Sequence, residues 1–119
     1  MNKKNKYNAK KIVIDGIKFD SKAEGKRYEV LKKREKAGEI SGLTLQPRFT
    51  LQEKFKHDGK TIRKIEYIAD FEYTKNGQQI VEDVKGVKTD VYKLKKKMFL
   101  LKYGKEKIFK EITRKELTK

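Results

Sequence analysis

Between Ile62 and Tyr73 apolar and polar residues alternate. Ile65, Tyr67, Ala69, Phe71 and Tyr73 fall on one side, and Glu66, Ile68, Asp70 and Glu72 on the other. This period of two predicts a half-buried strand. Asn76-Gly77 then turns the chain. Residues 79–85 return antiparallel, with Val81, Asp83 and Lys85 on one face and Ile80, Glu82 and Val84 on the opposite one. Upstream, KIVIDGIKF reads as two short strands around Asp15-Gly16. Ser21 followed by Glu24 fits a capping box, opening a helix over about residues 22–37 that Gly38 stops. Its buried stripe is Tyr28 and Leu31, flanked by Val30, and Glu24 lies one turn earlier, on or beside that stripe. LTLQPRFTLQEKF predicts an extended segment broken at Pro47, and HDGK a turn at 57–60.

Thr89 or Asp90 can cap a second helix, VYKLKKKMFLLKYG, closed by Gly104. Tyr92, Phe99 and Tyr103 share one side, and Leu94, Met98 and Leu101 are expected to broaden the apolar zone. Ile108–Thr113 predicts a final edge strand. The order strands, helix, strands, helix, strand implies an α/β fold of the α+β kind: a central mixed sheet flanked by two helices. Residues 1–10 read as a flexible basic arm and 11–119 as one domain.

Charge adds a partner to this picture. The chain carries 33 Lys+Arg against 17 Asp+Glu, a formal +16. Such an excess repels itself unless a polyanion is near, and phosphate backbones reward it through counterion release. Nucleic acid is therefore the expected partner, ahead of an acidic membrane surface. No apolar run nears the roughly 20 residues that span a bilayer, and the basic start precedes no signal-peptide core. A cytoplasmic protein is expected. With no cysteine and a single histidine, cysteine- or histidine-rich metal sites are excluded. Nothing points to a small-molecule organic cofactor.

Against that basic background, the acids inside the hairpin need a reason. A turn at Asn76-Gly77 brings Asp70 and Asp83 nearly opposite each other, and Asp83 and Lys85 leave the same face. Two converging carboxylates lose hydration and repel. A divalent cation relieves both costs, and oxygen-only ligands favour Mg²⁺ or Mn²⁺. Beside a phosphodiester, such an ion can polarise phosphoryl oxygen and acidify water, with Lys85 stabilising the developing charge. The competing reading is an edge hairpin with solvated acids. Of four places where an acid precedes a lysine by two, only Asp83–Lys85 lies in a predicted interior strand. Glu82 reads as solvated or salt-bridged, and as the rival ligand if a bulge intervenes. His57 reads as a surface turn residue. Tyr28, Tyr92, Phe99 and Tyr103 read as core, and Tyr7 as part of the arm.

Glu24, Asp70 and Asp83-Val84-Lys85, in this order, resemble the PD-(D/E)XK nuclease superfamily, the restriction-endonuclease-like fold. FDSKAEGKRYEVL, LQPRFTL, YIADFEY, VEDVKG and TDVYKLKKKMFLLKYG are, more narrowly, similar to a family of small phage-encoded proteins catalogued as a domain of unknown function. The likeness covers about residues 6–113. It departs from the superfamily label at Ala69, where a proline would precede Asp70. The resemblance implies metal ligation by Asp70, Asp83 and the Val84 carbonyl, with Lys85 as the catalytic lysine. Glu24 would complete or support the metal shell, and Gln46 would lie near the site. The expected function is a Mg²⁺-dependent (or Mn²⁺-dependent) DNA endonuclease, structure-selective for branched DNA and homodimeric, in a bacterial host's cytoplasm. Lys88, Lys93, Lys95, Lys96 and Lys97 follow the site and are expected to face DNA backbone. The alternative is a non-catalytic basic nucleic-acid-binding module.

Overall fold

The computed structural model describes residues 11–85 and 88–119. The expected arm over 1–10, with Tyr7, and the strand stop at Gly86 lie outside the described residues. Strands β1 (Ile12–Ile14) and β2 (Ile17–Phe19) form an antiparallel hairpin. Asp15 and Gly16 both have positive φ, 54° and 75°, the conformation that matches strand twist in a two-residue turn.

Helix α1 spans Lys22–Lys36. The Ser21 side chain accepts the Glu24 backbone N–H at 3.2 Å. The capping box is only half formed, because the Glu24 carboxylate accepts from the Ser21 hydroxyl at 3.5 Å rather than from its backbone. Gly25 lets β1 lie close on the helix: a Cβ there would stand 2.4 Å from Ile12 Cδ1.

Eight more strands follow: β3 (Ser41–Leu45), β4 (Arg48–Gln52), β5 (Phe55–His57), β6 (Lys60–Ile62), β7 (Ile65–Ile68), β8 (Phe71–Lys75), β9 (Gln78–Val84) and, after helix α2 (Asp90–Tyr103), β10 (Lys107–Ile112). The central sheet is mixed, in the order β10-β9-β8-β3. β9 runs antiparallel to β8 and parallel to β10, so α2 is the crossover a parallel pair requires. β9 is thus an interior strand, with Glu82 and Asp83 both buried. That removes the edge hairpin with solvated acids. His57 lies at the exposed end of β5, as expected.

The continuous strand expected over Ile62–Tyr73 is interrupted. β7 pairs with β4, whereas β8 pairs with β3 and β9. The break falls at Ala69-Asp70, directly beside Gln46-Pro47. Gln46 N–H donates to the Asp70 carbonyl at 2.9 Å, and Ala69 N–H donates to the Pro47 carbonyl at 3.1 Å. Gln46 sits at φ 50°, an uncommon place for a residue with a long side chain. The break slips the side-chain phase by one. Tyr67 and Ala69 pack with Phe49, Val81 and Phe99 under α2, while Phe71 and Tyr73 pack with Tyr28, Leu31 and Ile80 under α1.

Thr89 caps α2, its side chain accepting Tyr92 N–H at 3.1 Å. Phe99 is fully buried and Tyr92 and Tyr103 pack beside it. The expected broadening by Leu94 and Leu101 does not occur: they are 59 % and 89 % exposed, because one face of α2 suffices to cover this small sheet. Among the described residues no helix is long and apolar enough to cross a membrane.

Candidate active site

Sheet and crossover together open a cleft of about 390 Å³ at the end of β9. Glu24 from α1, Asp70 from the strand break, Asp83, Val84 and Lys85 from β9 and its continuation, and Lys95 from α2 all line it. The five residues singled out from the sequence as metal-binding or catalytic, and Lys95 of the lysines expected to face DNA, therefore share one space. Gln46 lines an adjoining pocket of about 110 Å³ with Glu24 and Asp70.

Within the cleft the residues are individually fixed. Lys85 Nζ lies 2.7 Å from Asp83 Oδ1. The other Asp83 oxygen accepts the Tyr67 hydroxyl. The Asp70 carboxylate accepts the Val84 backbone N–H at 2.6 Å, and the Asp70 N–H donates to the Glu82 carbonyl at 3.1 Å. The Asp70 side chain thus takes over a ladder position just before β8 begins. Below Lys85 lies the Tyr92 ring, its centroid 3.4 Å from the ammonium. Close approach to an aromatic face stabilises a cation.

Electrostatics mark Asp70 as the least comfortable group. Burial, then the Glu24 and Asp83 carboxylates, push it up to about 8, against the Val84 N–H and Lys85, which favour its ionised form. Burial, followed by Asp20 and later Asp83, also raises Glu24. Among the described residues, however, no three acidic or histidine side chains are gathered as a ready metal-holding group. The donors are oxygens only, which fits a hard divalent cation in kind. Glu24, Asp70 and Asp83 line the cleft without being drawn into a closed shell.

A consequence of the raised Asp70 is measurable. In the metal-free fold Asp70 retains its proton up to about pH 8, whereas in the unfolded chain it loses it near its ordinary value of 3.8. Between those limits the folded state binds more protons, so this group's contribution to stability is full below about pH 4 and is lost as pH rises through 8. The melting temperature of wild type should therefore fall as pH rises across that window in the absence of divalent cations. The decline should flatten in Asp70→Asn, and an equally steep slope in that variant would contradict this account.

The lysines expected to face DNA divide into groups. Lys95 lines the cleft. Lys88 and Lys96 bind Glu111 of β10 at 3.1 and 3.2 Å. Against the opposing effect of burial, the Tyr92 hydroxyl and these two ammoniums hold Glu111 down at about 2. Lys93 and Lys97 are exposed and do not line the cleft. Glu82 is salt-bridged as one reading had it, but buried rather than solvated. Arg27 Nε and the Glu82 carboxylate meet at 2.7 Å, as do Arg27 Nη2 and the second oxygen, and the Tyr73 hydroxyl also donates to Glu82. That engagement removes Glu82 as a rival ligand.

Sequence reasoning missed Tyr67, Tyr92 and Arg27 as parts of this architecture. Tyrosines at positions patterned like core carry a hydroxyl that must find a partner when buried, and that requirement was the available signal.

These observations define a mixed α/β domain whose central strand delivers Asp83 and Lys85 to a cleft at its C-terminal end, where Asp70 from the neighbouring strand break joins them. The family described as "Protein of unknown function (DUF1064)" matches residues 4–117, and the chain belongs to it. No curated protein and no solved structure matches the chain.

Proposed function

We propose that the protein is a metal-dependent DNA endonuclease of the restriction-endonuclease-like, PD-(D/E)XK type, phage-encoded, homodimeric and selective for branched DNA. The observation that carries this reading is the Asp83–Lys85 contact at 2.7 Å in a cleft shared with Asp70 and Glu24. Asp70 and Asp83 would hold the cation, with Glu24 and the Val84 carbonyl in support. When bound, Mg²⁺ or Mn²⁺ supplies Lewis-acid polarisation of a phosphodiester oxygen and a more acidic water.

The chain's own residues do the rest. The Tyr67 hydroxyl and the Val84 N–H aim the Asp83 and Asp70 carboxylates. Lys85, resting on Tyr92, offers a positive charge to a phosphoryl oxygen as negative charge develops. The N-terminus of α2, at Thr89 and Val91, borders the same cleft and adds partial positive charge where a phosphate would lie.

One observation favours a second reading. The acids are not gathered into a closed metal shell, which suits a binding module whose acids serve the fold. The test is incubation of purified protein with supercoiled plasmid, a four-way junction, linear duplex and single strands, with and without Mg²⁺ or Mn²⁺. The nuclease reading expects nicking that needs the cation and is fastest on the junction. Binding without cutting under every metal condition rejects it and selects the binding module.

A further inference from the structure

The β5–β6 hairpin has no role in the cleft. It continues the β4–β7 ribbon outward from the break at Asp70 to a tip at Asp58-Gly59. All six residues of β5 and β6 are exposed. A two-stranded ribbon standing alone buries too little to be stabilised by itself, so core packing does not account for it.

Its register sorts its side chains. Phe55 faces Ile62 and His57 faces Lys60, which places these four on one side. Lys56 faces Thr61 on the other side, and Lys54 and Arg63 flank the base of the hairpin just outside its strands. Arg48 and Lys64, nearer the body, both pair with Glu66, at 3.3 and 3.2 Å. Lys54, Lys56 and Arg63 have no ion-pair partner among the described residues, so the hairpin and its base present uncompensated positive charge.

We propose that this hairpin is an arm that grips duplex DNA, laying Lys54, Lys56 and Arg63 along the phosphates beyond the cleft. A two-stranded ribbon fits the major groove of B-form DNA, about 12 Å wide, whereas the narrow major groove of A-form RNA does not admit it. Twelve residues separate Asp58 from Asp70, at most about 40 Å of extended chain. That is close to one turn of B-DNA, ~35 Å, so one duplex can occupy both cleft and arm. This inference rests on the nuclease reading for its substrate, but binding rather than cleavage reads it out.

The experiment measures affinity for a 30-base-pair DNA duplex by fluorescence anisotropy, without divalent cations, between 50 and 200 mM salt. In Lys54→Gln/Lys56→Gln/Arg63→Gln the slope of log K against log salt should fall by about 2.7, roughly 0.9 for each phosphate contact. Affinity at 50 mM salt should drop at least about tenfold. The charge-preserving variant Lys54→Arg/Lys56→Arg/Arg63→Lys should stay near wild type, which separates charge from folding. An unchanged slope in the glutamine variant overturns the proposal, as does an equal loss on a 30-base-pair RNA duplex. If the slope falls but no metal condition yields cutting, the arm stands and the nuclease reading fails.

Discussion

Replacing Asp83 with alanine is expected to abolish Mg²⁺-dependent nicking, a loss of about a thousandfold or more. Losing several kcal/mol of transition-state charge stabilisation corresponds to that factor. Asp83 is the one acid in the cleft that also holds Lys85, at 2.7 Å. Its removal takes away a carboxylate and releases the ammonium together. Asp83→Asn separates these effects from packing, because the amide oxygen still accepts the Tyr67 hydroxyl. Both variants should bind duplex DNA in metal-free buffer at least as tightly as wild type, since a negative charge has left a basic cleft. Cutting at the wild-type rate by either variant removes Asp83 from the chemistry, and weakened metal-free binding contradicts the electrostatic account.

The second large effect concerns stability. Arg27 is 3 % exposed and Glu82 is fully buried. Their bidentate contact is completed by Tyr73 on one side and, on the other, by the Glu116 and Leu117 carbonyls, which accept from Arg27 Nη1 at 3.0 and 3.2 Å. Arg27→Met leaves Glu82 charged with no cation in contact, and breaking such a pair costs about 3–5 kcal/mol. For a domain of this size the melting temperature should fall by roughly 12–20 °C. Adding Glu82→Gln removes the stranded charge while keeping an acceptor for Tyr73, and should recover most of the loss. If the double variant melts no higher than the single one, the contact acts through packing of the arginine stem instead.

How far this could be read from sequence depends on whether the deciding interaction is local. The Asp15-Gly16 and Asn76-Gly77 turns, the Ser21 and Thr89 caps and the parity of Val81, Asp83 and Lys85 are set by a few neighbouring residues, and the structure places all of them as expected. The interruption at Ala69-Asp70 is not local. Alternation through Tyr73 is unbroken in the sequence, and the slip arises from pairing with Gln46-Pro47, more than twenty residues away. The proline announced a break in its own strand but not the matching one in its partner. Arg27 was hidden for a related reason: in a helix crowded with lysine and arginine, only the distant Glu82 distinguishes the inward-facing cation. Leu94 and Leu101 erred the opposite way, since a helix of period 3.6 can carry more apolar residues than one small sheet can cover. The cleft's membership was legible because strand parity and helical spacing bring its residues together; its open arrangement of acids was not, because that depends on side-chain distances.

The parallel neighbour of β9 has a consequence for the order of assembly. Gln79 aligns with Lys107, so the strand bearing Asp83 acquires its second flank only after the whole of α2 has been made. Closing so long a loop before any contact repays it slows folding. While a ribosome still holds the stretch beyond Tyr103, β9 has a partner on one side only, and the acids on it lack their finished setting.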